Sequence, residues 1–220
     1  PGITQVQVLR EKNQTFATIL RTFLRQDPDV MLIGETRDPE TAKASMEAAQ
    51  TGHLVLTTLH ANNSASSITR LLDMDVPHYL MTSSLLGVLS QRLVRRLCTE
   101  CSVSRPVSEA EAAITRLAVG TPIRAPNALS AQEKEKAKQE QRLCTRCQGT
   151  GYKGRVGVYE LMPVTNSIKT AIREQRSSQE IQELACQEGM VTLEHYGRAL
   201  VRDGITSVAE LQRLCSSAFD

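Results

Sequence analysis

Two short apolar runs, separated by a helix-like segment, dominate the hydrophobic pattern of the first quarter of the chain. They cover residues 30–33 and 54–59, are too short for core helices, and are rich in residues that suit buried parallel strands. Asp38 can cap the intervening helix, Pro39 suits its first position, and Gly52 suits a left-handed residue after its last turn. The pattern therefore predicts a βαβ unit with two parallel neighbouring strands and a right-handed connection.

Polar side chains follow both predicted strands at the point where each strand ends. Gly34 and Glu35 come directly after the first strand, and His60 closes the second. Ligands of open parallel sheets bind beyond the carboxyl ends of the strands, so we expect Glu35 and His60 on one rim. A carboxylate beside a histidine suits water activation next to a phosphate. The local pattern equally allows Glu35 to cap a turn and His60 to be an ordinary loop histidine.

The chain contains LRQDPDVMLIGETRD followed by TGHLVLTTLHANN. These segments resemble the signature of the secretion ATPase superfamily, which comprises the motors of type II secretion and type IV pilus systems. The resemblance implies that Glu35 polarises the attacking water as the acid of a Walker B variant. It further implies that His60 contacts the γ-phosphate, that His53 is a second histidine-box member, and that ATP and Mg²⁺ are cofactors. Thr36 departs from the family, which usually has an aliphatic residue there.

Two arginines near the predicted rim, Arg25 and Arg37, are weaker candidates for nucleotide binding. Each could contact a phosphate or a neighbouring subunit's nucleotide as a cation that stabilises the transition state. The alternative is local pairing with acids such as Asp27, Asp29 or Asp38. We favour local pairing, because isolated arginines seldom prove catalytic.

No G-x-x-x-x-G-K-[ST] sequence occurs in the chain. Without that loop, the chain has neither the ring of backbone N–H groups nor the lysine that hold the β- and γ-phosphates. The family that it resembles carries this loop upstream. We therefore interpret the chain as the C-terminal portion of a longer motor, and we expect it to bind nucleotide weakly or not at all by itself.

Four cysteines form two CxxC pairs, Cys98 with Cys101 and Cys144 with Cys147. Thiolates two residues apart in a turn can face one ion, and two such turns complete a tetrahedral zinc site. Four thiolates leave no open coordination position, so we predict a structural Zn²⁺. The alternative is four structural or redox-active cysteines. Tetracysteine modules of this kind are similar to those of pilus-extension and secretion-type ATPases, whereas retraction-type pilus ATPases generally lack them.

The fold class predicted for the whole chain is α/β, with three segments. Residues 1–97 form the C-terminal part of a RecA-like P-loop NTPase core that lacks its first strands and P-loop. Residues 98–160 form a tetracysteine zinc-binding subdomain with a polar insert, and residues 161–220 form a helical C-terminal subdomain. Within these segments, residues 2–9 alternate as a strand would, and SQRLVRRL is compatible with either helix or strand.

Composition excludes some classes of partner. The net charge is only +2, aromatic residues make up 3% of the chain and Trp is absent, so we expect no nucleic-acid partner. The sequence contains neither an apolar run of membrane-spanning length nor a signal peptide. We therefore predict a cytoplasmic protein, and the resemblance implies a peripheral location at the inner membrane.

The resemblance also implies the function of the intact protein. It indicates a homo-oligomeric ATPase, with a hexamer expected, that acts on an inner-membrane platform protein to power type IV pilus assembly or type II secretion. The segment ETAKASMEAAQTGHLVLTTLH favours a pilus-assembly ATPase. Two alternatives stay open: a RecA-like nucleic-acid-dependent ATPase, and a nucleotide-free zinc-containing interaction module.

Overall fold

The computed structural model of the protein describes residues 2–9 and 14–216. No helix in these ranges combines the length and the apolar composition that a membrane span requires. The regular elements, in chain order, are α1 (Phe16–Phe23), β1 (Val30–Ile33), α2 (Pro39–Gln50), β2 (Leu54–Thr57), α3 (Ser64–Asp73), α4 (His78–Ser84), β3 (Gly87–Leu97), β4 (Val103–Pro106), α5 (Glu109–Thr115), β5 (Pro122–Ala125), α6 (Ala131–Gln139), β6 (Tyr152–Pro163), α7 (Asn166–Arg173), α8 (Ser178–Gln187), α9 (Leu193–Arg202) and α10 (Val208–Ser216).

The chain divides into two compact units, and neither is continuous in sequence. The first unit comprises the described residues of Pro1–Val88 together with Met162–Gly189. The second comprises Leu89–Leu161 and the described residues of Met190–Asp220. This division differs from the three segments predicted from sequence, because α7 and α8 pack on α4 and α3 of the first unit, whereas α9 and α10 pack in the second.

The βαβ unit predicted for the first part of the chain is confirmed. Strands β1 and β2 pair in parallel, with Val30 opposite Leu54 and Ile33 opposite Thr57. Helix α2 connects them and begins where expected, since Asp38 Oδ1 accepts a hydrogen bond from the Thr41 N–H at 2.8 Å. The chain leaves α2 through Gly52, whose φ of 102° lies in the left-handed region that favours glycine.

Only one face of the β1–β2 pair is covered in the described part of the chain. Met31 and Ile33 are buried and pack with apolar residues of α1 and α2, so both helices lie on the same side of the pair. On the opposite face, Leu32 is 71% exposed. We expected buried strands, and this face differs from that expectation; its exposed apolar residues are Val30, Leu32, Leu54 and Leu56.

The second unit contains residues 89–97 of strand β3, so SQRLVRRL forms a strand and not a helix. Strand β3 pairs with β6, and β4 pairs antiparallel with β5. The core of this unit includes Val94, Val158 and Leu211. The segment between the CxxC pairs contains the β4–β5 pair and α5, and its polar stretch forms α6, which has no buried residue, as a polar insert would. Residues 2–9 form no regular element, so the predicted strand there is wrong.

A buried carboxylate ties the last helix of the second unit to strand β3. Glu210 is 1% exposed, and it accepts hydrogen bonds from the Arg95 N–H at 2.7 Å, from Arg95 Nε at 2.9 Å and from Arg213 at 2.8 Å. Burial by itself would raise the pKa of Glu210, but these hydrogen bonds and the charges of Arg95 and Arg213 outweigh it and lower the pKa. Ser207 and Glu210 have the spacing of a capping box, and half of it forms: Ser207 Oγ accepts from the Glu210 N–H, while the Glu210 carboxylate accepts from Arg95.

Replacement of Glu210 by alanine is expected to lower the free energy of unfolding by about 2 kcal/mol, because the Arg95 N–H loses its buried acceptor. Water screens the ion pair itself, since the Arg95 side chain is 51% exposed. A group whose pKa is lowered by folding stabilises the folded protein at pH values above the pKa that the group has in the unfolded chain. The difference from wild type should therefore be full above about pH 5 and shrink as the pH falls below about 4.3. Chemical denaturation at several pH values measures both effects.

The matched control is Glu140→Ala, which removes an exposed carboxylate that pairs with Arg142 in the same unit. We expect it to change the free energy of unfolding by less than about 0.5 kcal/mol. Equal losses in the two variants, or a Glu210→Ala loss that does not vary with pH, would contradict this account of Glu210.

Candidate functional site

Backbone and side-chain hydrogen bonds join the two segments that follow β1 and β2. The Thr36 N–H donates to the Thr58 carbonyl at 2.8 Å, which continues the pairing beyond Ile33 and Thr57. The Thr58 hydroxyl donates back to the Gly34 carbonyl at 2.6 Å. Glu35 and His60 thus leave neighbouring parallel strands at their carboxyl ends, as predicted, and the segments that carry them are fastened together.

Thr36 contributes a further contact that sequence analysis missed. It is 2% exposed, and its hydroxyl lies 2.8 Å from the Thr57 hydroxyl. Because a buried hydroxyl is costly unless it is hydrogen-bonded, Thr57 explains how a threonine is accommodated beside Glu35. The only signal in the sequence was the departure from an aliphatic residue at this position.

Glu35 forms an ion pair with Arg37 at 2.7 Å. The Glu35 side chain is 29% exposed and that of Arg37 is 58% exposed, so solvent reaches both groups at the rim. Local pairing of Arg37 was the favoured expectation, but its partner is Glu35 and not the neighbouring Asp38, which caps α2. The guanidinium therefore pairs with the carboxylate while both groups stay at the rim.

His60 is exposed and lines a cavity of about 290 Å³. The side chains around this cavity are almost all polar, which suits a hydrophilic ligand or water. The α3 residues that share the cavity had no motif in the sequence, since only the turn of a helix brings every third or fourth position to one side. Besides His60, the lining residues are Ala61, Asn62, Ser66, Thr69, Arg70 and Asp73.

His53 and Arg25 are not brought to this rim by the contacts that the structure defines. His53 precedes β2, and its Nδ1 lies 3.0 Å from the Ala48 carbonyl at the end of α2. The length of β2, roughly 13 Å at 3.3 Å per residue, therefore separates its backbone from that of His60. Arg25 follows α1, where its N–H donates to the Thr22 carbonyl. Among the described residues, its guanidinium has no ion pair.

The four cysteines of the CxxC pairs come together in the second unit, as predicted. All four sulfurs lie within 4.8 Å of one another; the Cys98–Cys144 distance is 3.8 Å and the Cys101–Cys147 distance is 3.4 Å. A tetrahedral ion with 2.3 Å bonds to sulfur has sulfur–sulfur edges of about 3.8 Å. The donor set and its spacing therefore fit Zn²⁺.

Tight turns hold the sulfurs in place. The Cys98 N–H donates to the Gly151 carbonyl at 2.9 Å, and the Gln148 N–H donates to the Cys144 carbonyl at 2.8 Å. Gly151 has a φ of 76°, and a Cβ there would lie 2.7 Å from Pro126 Cβ, so a side chain is excluded for two reasons. The chain thus joins the two CxxC turns through contacts that only glycine permits.

The four thiols lie close enough to shift one another's pKa values. Burial would raise the pKa of Cys147, but hydrogen bonds from Cys101 and from the backbone of Gly151 outweigh it and lower that pKa to about 6. Burial and hydrogen bonding to the other thiols raise the pKa of Cys101. A thiolate is therefore accessible near neutral pH at Cys147, and thiolate is the form that binds a metal.

Comparison with known proteins gives matches over nearly the whole chain. The model of the family described as type II/IV secretion system protein matches residues 1–213. The type IV pilus assembly ATPase PilB of Thermus thermophilus is 46% identical over 213 residues, which are 96% of this chain and 22% of that protein. The type II secretion system protein HxcR of Pseudomonas aeruginosa is 40% identical over 218 residues, which are 99% of this chain and 40% of HxcR.

Solved structures agree with the fold. The pilus retraction motor PilT with bound ADP is similar with a TM-score of 0.59 and 25% identity, over 91% of this chain and 43% of PilT. The ATPase DotB of Yersinia pseudotuberculosis has a TM-score of 0.62 at 20% identity, over 98% of this chain and 44% of DotB. The chain thus spans less than half the length of each of these relatives. On the family match and the identities, it belongs to the type II/IV secretion system protein family.

Proposed function

We propose that this chain is the portion of a secretion ATPase motor that activates water and senses the terminal phosphate of ATP. The observation that carries the proposal is the joined carboxyl end of β1 and β2, where Glu35 and His60 follow adjacent parallel strands. In sheets of this kind, ligands bind at that end of the strands. The names of the relatives, a pilus assembly ATPase and type II secretion proteins, support hydrolysis of ATP by the longer protein.

The roles of the side chains follow from their placement. Glu35, partly exposed and oriented by Arg37, accepts a hydrogen bond from the attacking water and aligns it with the phosphate. His60, exposed at the neighbouring strand end, donates to the terminal phosphate. Bound ATP with Mg²⁺ would supply the phosphoryl group to be transferred. The backbone cradle for its phosphates belongs to a P-loop, which this chain does not contain.

The exposed face of the β1–β2 pair supports the proposal of a RecA-like core that continues beyond these residues. Leu32 and Leu56 are 71% and 48% exposed, which is unusual for neighbouring apolar residues of a parallel pair. Parallel sheets are normally covered on both faces. We propose that further elements of the longer protein cover this face and extend the sheet.

For the intact protein, we propose a homo-oligomer, with a hexamer expected, that acts at the cytoplasmic face of the inner membrane on a platform protein. Its output is type IV pilus assembly or type II secretion. Two pilus assembly ATPases are 46% and 41% identical to this chain and two type II secretion proteins are 40% and 42% identical, so the relatives support both outputs.

The decisive experiment for this function is Glu35→Gln in the full-length protein. The variant keeps the size of the side chain but loses the carboxylate that orients water, so we expect ATP hydrolysis to fall by about 10²-fold or more. Binding of ATP should persist, because Glu35 is not part of the phosphate cradle. Steady-state hydrolysis and nucleotide titration measure the two quantities separately.

Glu47→Gln is the matched control, because Glu47 is an exposed glutamate on α2 whose change should leave hydrolysis at the wild-type rate. Wild-type hydrolysis in the Glu35→Gln variant would remove Glu35 from its proposed role. No hydrolysis by the full-length wild type would refute the proposed function and favour a nucleotide-free interaction module.

We further propose that the tetracysteine cluster holds one structural Zn²⁺ through Cys98, Cys101, Cys144 and Cys147. Elemental analysis of the purified protein should give about one zinc per chain. Cys144→Ser should lower the zinc content and the melting temperature, because the ion closes the loop between the two CxxC turns. Removal of the metal by a chelator should lower the melting temperature of the wild type in the same way.

Cys186→Ser provides the control for this prediction, since Cys186 is exposed and lies outside the cluster. It should retain the full zinc content and the wild-type melting temperature. A zinc-free wild-type protein whose stability is insensitive to chelator would contradict the metal assignment and leave four cysteines of structural or redox character.

A further inference from the structure

Asn63 lies three residues after His60 and forms hydrogen bonds in two directions. Its Oδ1 accepts from the Ser66 N–H at 2.7 Å, and its own N–H donates to Ser66 Oγ at 3.0 Å, which is the capping box that begins α3. Its Nδ2 donates to Gln182 Oε1 on α8 at 2.7 Å. A side chain 119 positions further along the sequence thus anchors the end of the segment that carries His60.

Rigid packing fixes the position of Gln182 relative to α3. Helices α3 and α8 pack together within the first unit, and the buried faces of the two helices include Ala65 and Ile68 on α3 and Ile181 on α8. Gln182 directly follows Ile181 and is itself half-buried. Because close-packed helices shift little, the hydrogen bond between the two amides holds Asn63 at one place.

The segment that carries His60 is therefore held at both ends. At one end, the Thr58 carbonyl accepts from the Thr36 N–H next to Glu35. At the other end, Asn63 is held by Ser66 and Gln182. Four residues, 59–62, lie between these anchors, and a short segment with two fixed ends has few conformations. An error of about 1 Å in placing a reacting group can cost about 10²-fold in rate, so the second anchor matters for catalysis.

We propose that Gln182 is a positioning residue for ATP hydrolysis. Through Asn63 it holds the His60 segment in the conformation in which the imidazole meets the terminal phosphate. This inference rests on the proposed function and adds to it a residue of α8. In the sequence, that residue lies far from the segments that contain Glu35 and His60. Gln182 itself does not touch the substrate.

The test compares two replacements of Gln182 in the full-length protein. Gln182→Leu removes the acceptor at similar size, and it should lower kcat about tenfold while KM for ATP changes by less than about twofold. Gln182→Glu keeps an oxygen that accepts from Asn63 Nδ2, and it should retain most of the wild-type kcat. Gln187→Leu, an exposed position on the same helix, should leave kcat unchanged.

Asn63→Ser provides an independent test that does not depend on the folding of the leucine variant. Serine keeps an oxygen that caps α3 but has no amide to donate to Gln182, so the same loss of kcat is expected. The double variant Asn63→Ser, Gln182→Leu should lose no more than either single variant, because both remove one interaction.

Any of three results would overturn the role of Gln182. The first is a wild-type kcat in Gln182→Leu, and the second is a loss of kcat in Gln182→Glu as large as that in Gln182→Leu. The third is a double variant whose fold-loss of kcat equals the product of the two single losses. The proposed function fails separately, when Glu35→Gln hydrolyses ATP at the wild-type rate. Loss of activity in Glu35→Gln together with full activity in both Gln182→Leu and Asn63→Ser would refute the positioning role alone.

Discussion

The hydrogen bond from the Thr36 N–H to the Thr58 carbonyl is the contact on which the candidate site depends. Two parallel strands of four residues each have only a few ladder bonds of their own, and the polar segments beyond them would otherwise be free to separate. With this bond and the Thr58–Gly34 bond, the pairing extends past the strands to the residues that flank Glu35 and His60. The relative position of the two segments is thus set by one backbone hydrogen bond and one threonine hydroxyl.

The two units use different means of holding a polar group in a defined place. In the first, Glu35 forms a partly exposed ion pair with Arg37, and the carboxylate stays within reach of solvent. In the second, Glu210 is withdrawn from water and its hydrogen bonds are satisfied by the backbone and side chain of Arg95. The contrast agrees with the role that we propose for Glu35 and with a structural role for Glu210, since a buried and fully paired carboxylate is poorly placed to meet a substrate.

Features with a local physical cause were predictable from the sequence. Asp38, Pro39 and Gly52 mark the ends of α2 by capping and backbone conformation, and the parallel pairing of β1 and β2 follows from the connection between them. The spacing of the two CxxC pairs likewise predicted that their sulfurs converge. The ends of α2 depend on residues a few positions apart. The convergence of the cysteines follows from a motif whose four sulfurs would bind one ion.

Features set by tertiary packing were not predictable. Nothing near Gln182 indicates that it meets Asn63, and a hydrophobic stripe on α8 does not reveal that the stripe is buried against α3. Ser207 and Glu210 have the spacing of a capping box, but Arg95 competes for the carboxylate.

The order in which the chain visits its two units has a consequence for biosynthesis and engineering. The path runs from the first unit to the second, returns for α7 and α8, and leaves again for α9 and α10. No single cleavage of the polypeptide separates the two units. The first unit cannot complete its folding during synthesis until Gly189 has been added. Contacts so distant in sequence slow folding. Tandem domains can be shuffled by exchanging contiguous gene segments, whereas these two units must be inherited together.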